Sequence, residues 1–323
     1  MSRIHEALKK AEQERAAQGG PAQADYAQAS YATTTTPEPP PMPPPAEELR
    51  REASMVAAPN LNVPLTAGMP SFASPFSLET LLSRCTPQPW TPDEKTMLFL
   101  NGDDNARGTE EFRTLRSRLY HAREKMALKK LLVTSALPKE GKSFTASNLA
   151  QVLVRQHGRR VLLIDADLRG PRLHMMLGTT SSPGLADYLQ GSSDEFSIMQ
   201  RGPMENLFFI PSGQEISDPA ELVSNGRLKL LLQRVEALFD WIIIDSPPAV
   251  PVSDAGVLAK VCDGVLMVVR SNATPVDMAR RARQEFPDEA LIGVVLNGTN
   301  ADALGYTRYY YDAYQKSATE SKS

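Results

Sequence analysis

From Leu131 to Leu296 the chain alternates short, β-branched apolar runs with longer stretches of helical period, and this alternation restricts the fold more than any other feature. The apolar runs are Leu131 to Thr134, Val161 to Ile164, Leu207 to Ile210, Trp241 to Ile244, Val265 to Val269 and Leu291 to Leu296. Helical patterns fill the intervals at Phe144 to Arg155, Pro219 to Phe239, Ser253 to Val261 and Pro275 to Phe286. Strands that are apolar on both faces need cover on both. Strand, helix, strand, repeated, therefore specifies an α/β class: a doubly wound, mainly parallel sheet with helices on each side. No repeat of solenoid type is visible.

The remainder of the 323 residues has a different character. Residues 1–18 place Ile4, Ala7, Leu8 and Ala11 at helical spacing on one narrow face, a short amphipathic helix. Residues 19–75 are dominated by Ala, Gln, Thr and Pro, and 14 of the 26 prolines lie before residue 91. Such a stretch cannot bury enough apolar surface to offset its chain entropy, so a disordered linker is expected there. Residues 76–299 are expected to form the folded domain and 300–323 a flexible, tyrosine-rich tail. A net charge of −3 argues against a dedicated nucleic-acid binder. Cys85 and Cys262 supply neither a disulfide framework nor paired metal spacing, which suits a reducing cytosol. His5, His121, His157 and His174 form no metal or triad spacing. The Met-Ser-Arg-Ile-His-Glu start has no apolar signal region, and the longest apolar runs are strand-sized, so membrane contact is expected only peripherally or through a partner.

The chemistry is concentrated at strand ends. The first strand runs into Ser135-Ala136-Leu137-Pro138-Lys139-Glu140-Gly141-Lys142-Ser143 and then a helix, the context of a P-loop. Gly141 lets the backbone approach phosphate, the amides of Gly141, Lys142 and Ser143 open a helix N-terminus, and Lys142 can reach the β- and γ-phosphates. Ser143 is then placed to ligate Mg²⁺. Ala136 stands where the usual pattern has its first glycine. The second strand ends in Asp165-Ala166-Asp167-Leu168-Arg169, two carboxylates that point into the crevice where such folds bind ligands. They can share metal binding and base work. The fourth strand ends in Asp245-Ser246-Pro247-Pro248, with Asp245 expected beside the metal. The P-loop and these two strand ends, in this order, point to a nucleotide site.

These motifs resemble the Walker A, A′ and B motifs of bacterial tyrosine autokinases, the capsular and exopolysaccharide-locus kinases related to partition and septum-site ATPases. The resemblance covers roughly residues 96–314, and the first ten residues look like members from loci that carry an exosortase. It implies P-loop NTPase topology, ATP and Mg²⁺ as cofactors, and nucleotide contacts from Pro138, Lys139, Glu140, Gly141, Lys142, Ser143, Phe144 and Asn297, the last toward adenine. It further implies Lys142, Asp165 and Asp167 as catalytic residues, Asp165 favoured as base with the choice against Asp167 left open, and Ser143, Asp167 and Asp245 around the metal. The family's loop usually reads Pro-Gly-Glu-Gly-Lys, whereas Lys139 replaces the first of those glycines here.

Two features distinguish this family from its relatives. Glu110, Arg113 and Arg116 have the E-x-x-R-x-x-R spacing that the family uses at the contact between subunits of a ring-shaped homo-oligomer. Tyr306, Tyr309, Tyr310, Tyr311 and Tyr314 are five of the nine tyrosines, gathered in the last 18 residues as an expected phosphoacceptor cluster. Other implied partners are a membrane-embedded chain-length regulator of the polysaccharide co-polymerase kind, acting as activator, and a tyrosine phosphatase; nucleic acid is not among them. The implied location is cytoplasmic, held at the inner membrane through a partner. Two alternatives stay open: a partition-type ATPase switch, against which Leu137 stands where those relatives carry a second lysine, and a nucleotide-binding adaptor without kinase activity.

Overall fold

The computed structural model describes residues 77–99 and 108–299. The expected N-terminal helix, the linker and the tyrosine tail lie outside the described residues. Eight strands form a single sheet in the order β1-β4-β5-β3-β6-β2-β7-β8. They are β1 (Thr86–Pro87), β2 (Lys130–Ser135), β3 (Val161–Asp165), β4 (Gln200–Arg201), β5 (Leu207–Ile210), β6 (Trp241–Asp245), β7 (Gly264–Arg270) and β8 (Leu291–Asn297). All pairings are parallel except β4 with β5, which is antiparallel. The six expected runs are the six long strands, each within one residue of its expected ends. The two-residue strands β1 and β4 carry no periodic signal and were not legible.

Side chains alternate across the sheet, and both faces are buried. Leu132, Leu162, Ile164, Phe208, Ile210, Ile242 and Ile244 belong to one apolar layer. Their neighbours Leu131, Val133, Val161, Leu163, Phe209, Trp241 and Ile243 belong to the other. The second layer receives α3 (Lys142–Val154), with α2 (Thr109–Arg123) packed beside it through Phe112 and Leu119. Twelve of the thirteen α3 residues are buried, the signature of a central helix rather than an amphipathic surface one.

The first layer is covered by α1 (Leu78–Arg84), α5 (Leu185–Gln190), α6 (Pro219–Ser224), α7 (Arg227–Val235), α8 (Asp254–Ala259) and α9 (Val276–Gln284). Short α4 (Leu173–Leu177) follows β3. In α7 the spacing Leu228, Leu231, Leu232, Val235 puts a single apolar stripe on the core. The expected helix from Pro219 to Phe239 is instead two helices and a 3₁₀ turn over Glu236–Leu238. The chain breaks at Asn225-Gly226, where Gly226 adopts φ 81°, a left-handed setting that ends a helix.

The edge strand β8 differs from expectation in burial. A run expected to be covered on both faces leaves Val294 and Leu296 more than half exposed, at 54% and 57%. Among the described residues no strand pairs with its outer side.

Candidate active site

The strand order fixes the site. Because β6 lies between β2 and β3, the carboxyl ends of these three strands meet: Asp165 is in register with Asp245, and Asp245 with Val133. Residues 136–141 leave β2, and Gly141 caps α3 at φ 97°, with the Lys142 and Ser143 amides in its first turn. At Gly141 a side chain has no room, since the Asn297 amide occupies the space a Cβ would take.

Lys142, Asp165, Asp167 and Asp245 converge in this crevice, and all four are buried. Lys142 Nζ donates to Asp167 Oδ2 at 2.6 Å and stands 4.0 Å from Asp245 Oδ2. Burial opposes its charge, but Asp245 and Asp167 outweigh burial and hold the ammonium above the ordinary lysine range. Burial, then the neighbouring Asp245, pushes Asp165 well above the ordinary carboxylate range. Asp165 Oδ2 accepts the Arg172 and Leu173 amides at 3.2 and 3.0 Å, while Oδ1 has only the Asp167 amide at 3.3 Å.

Asp245 is fully buried, and neither of its oxygens accepts a hydrogen bond of good geometry. Burial raises it, while Lys142 and the nearby Ser143 hydroxyl pull the other way. An orphaned carboxylate beside a hydroxyl fits a hard divalent cation such as Mg²⁺. Among the described residues no three His, Cys, Asp or Glu side chains stand as a metal cage.

Pro138 and Lys139 are exposed at the loop tip, whereas Glu140 is buried. Phe144 turns away from the loop and packs edge-on against Phe112 of α2, with centroids 5.8 Å apart. Asn297, expected toward adenine, donates from Nδ2 to the Glu140 carbonyl at 2.9 Å. Glu110 and Arg113 pair with each other on α2, and Arg116 Nη1 donates to the Val152 carbonyl at 3.1 Å. That cluster stands apart from the carboxylates, on the helix that covers α3. The five tail tyrosines lie outside the described residues.

Sequence reasoning missed a fork across the crevice. Arg169 donates from Nε and Nη2 to Asp254 at 2.8 and 3.1 Å, and Asp254 is 2% exposed. This ties the loop after β3, which carries Asp167, to the start of α8, which follows Asp245. Arg169 stood in the strand-end motif, but nothing in the sequence marked a partner 85 residues away.

A doubly wound sheet with a phosphate-binding loop after β2 and carboxylates at the ends of the next two strands across, β6 and β3, defines a P-loop nucleotide-binding protein. A family model described as an AAA domain matches residues 139–277. Tyrosine-protein kinase YwqD of Bacillus subtilis is 35% identical over 204 residues, which cover 62% of this chain and 86% of the relative. Tyrosine-protein kinase wzc of Salmonella typhimurium is 31% identical over 224 residues, 69% of this chain but only 31% of that longer protein. The kinase domain of the Escherichia coli tyrosine kinase ETK superposes with a TM-score of 0.58 at 32% identity, covering 62% of this chain and 80% of that one. The chain belongs to the bacterial tyrosine-protein kinases, and its enzymatic class is that of a tyrosine kinase of this type.

Proposed function

We propose that the chain transfers the γ-phosphoryl group of ATP to its own carboxyl-terminal tyrosines, acting in trans within a ring-like homo-oligomer. The observation that carries this reading is the convergence of Lys142, Ser143, Asp165, Asp167 and Asp245 at three adjacent strand ends. A tyrosine hydroxyl with a pKa of about 10 is protonated at neutral pH, so a carboxylate must take its proton as it attacks phosphorus. Asp165, pushed up to about 8 by burial and then by the neighbouring Asp245, is when ionised a stronger base than an ordinary carboxylate, which suits that work. Lys142 and the loop amides stabilise negative charge on the transferring group. Ser143, Asp167 and Asp245 would hold Mg²⁺, which when bound offsets charge on the phosphate oxygens.

The nine residues from Asn297 to Tyr306 span at most roughly 30 Å when extended, enough to reach toward a neighbouring protomer. Exchange of the Glu110–Arg113 pair between protomers would supply the ring contact. No helix among the described residues is long and apolar enough to cross a membrane. We place the protein in the cytoplasm, held at the inner membrane by a polysaccharide co-polymerase that activates it and reset by a tyrosine phosphatase, with exopolysaccharide or capsule synthesis and export as the regulated process. Residues 1–18 as a helix, 19–75 as linker, 76–299 as kinase domain and 300–323 as acceptor tail complete the proposed organisation.

The test is incubation of purified protein with Mg-ATP and mapping of phosphate by mass spectrometry, beside Lys142→Met and a chain ending before Tyr306. Label on the tail tyrosines that disappears with Lys142→Met is the expected result. ATP consumption with unlabelled tyrosines would overturn it in favour of a hydrolytic switch.

A further inference from the structure

Lys139 carries a Cβ yet sits at φ 67°, a left-handed conformation that is strained for such a residue. Conformations of this kind persist only where the surroundings over-determine them. Here the surroundings come from the far side of the sequence. Arg270 Nη1 donates to the Lys139 carbonyl at 3.0 Å. Glu140, 3% exposed, accepts the Leu137 amide through Oε2 at 2.8 Å and the Thr274 hydroxyl through Oε1. The Thr274 oxygen in turn accepts the Arg270 amide at 3.0 Å, and Asn297 holds the Glu140 carbonyl at 2.9 Å. The Glu140 side chain thus turns toward the turn between β7 and α9 while its neighbours frame the crevice.

The geometry points to Glu140 as a positioning residue: its carboxylate fastens the phosphate-binding loop to the Arg270–Thr274 turn and sets the loop's shape before nucleotide arrives. This rests on the reading of residues 136–143 as the nucleotide site. A carboxylate suits the task because both of its oxygens can accept, one from the loop's own amide and one from a hydroxyl 134 residues away. Pre-setting the loop removes an ordering cost that would otherwise be deducted from nucleotide affinity. Glutamine can replace part of this, with its oxygen accepting the Leu137 amide and its nitrogen donating to the Thr274 oxygen. Alanine replaces none of it.

The test is titration with a fluorescent Mg-ATP analogue, together with ATP dependence of phosphorylation and thermal melting. Glu140→Ala is expected to weaken nucleotide affinity roughly tenfold or more, the scale of losing a hydrogen bond to a charged group, and to raise KM for ATP by more than it lowers kcat. Thr274→Val, outside the loop, is expected to weaken binding in the same direction, and the double variant to be no weaker than Glu140→Ala alone. Glu140→Gln is expected to recover most of the lost affinity. Normal wild-type binding with Glu140→Ala or Thr274→Val unaffected, with additive losses, or with lowered melting as the only change overturns the inference and leaves the site reading standing. If Glu140→Ala does not fold, Thr274→Val decides by itself. Absence of Mg-ATP binding by the wild-type chain would overturn the site reading, and this inference with it.

Discussion

The Lys142 ammonium is committed to Asp167 before phosphate arrives, at 2.6 Å and almost fully out of solvent. Phosphate must therefore compete with a carboxylate for the same cation. Releasing that cation by Asp167→Asn is expected to tighten binding of Mg-free ADP by about tenfold, equivalent to the ~1.4 kcal/mol of one hydrogen bond to a charged group. The same variant should lose phosphoryl transfer, and a fluorescent ADP titration in EDTA checks the first effect separately. The buried carboxylates also set a pH dependence. Asp165 and Asp245 are both raised, so their contribution to stability is complete below the unfolded value near 4 and is lost as pH rises through their raised values. Asp194 and Asp240, held low by backbone amides and arginines despite some burial, act in the opposite sense and only below that value. The melting temperature is accordingly expected to fall from pH 5 to pH 8, and Asp245→Asn to flatten the slope.

Among the elements, the loop after β3 and the start of α8 are joined by the Arg169–Asp254 fork, which spans the two strand ends that carry the carboxylates. Lysine has one charged nitrogen and cannot reproduce two parallel bonds. Arg169→Lys should lower the rate of tyrosine phosphorylation by at least about tenfold with little change in ATP affinity, a split visible in steady-state kinetics. The six long strands, α3 and the crevice carboxylates were legible in the sequence for one reason: local spacing along the chain alone places them. Asp165, Asp167 and Asp245 needed no tertiary information to be located at carboxyl ends. What could not be read were the partners that hold them. Glu140 finds Thr274, Arg169 finds Asp254, and Asn297 turns to the Glu140 carbonyl, all across separations that periodicity does not encode. The break at Asn225-Gly226 was marked by residue type, but helical apolar patterns lie on both sides of it and read as one longer helix.

For the whole molecule, the proposed tail chemistry changes charge on a large scale. Each phosphotyrosine adds about −1.5 to −2 charges, so five of them on a chain of net charge −3 would repel carboxylate-lined crevices in neighbouring protomers. Full phosphorylation is expected to shift the assembly toward smaller species in light scattering or sedimentation, and treatment with a tyrosine phosphatase to reverse it. Unchanged size after complete labelling would rule that out. The outer margin of β8, which carries no partner strand among the described residues, matters even without nucleotide. The alternate N–H and C=O groups that face outward along β8, beside Val294 and Leu296, form a template onto which a strand from another chain can add. Concentrated stocks should turn cloudy from that side first, and Val294→Lys should keep them clear while leaving the fold intact.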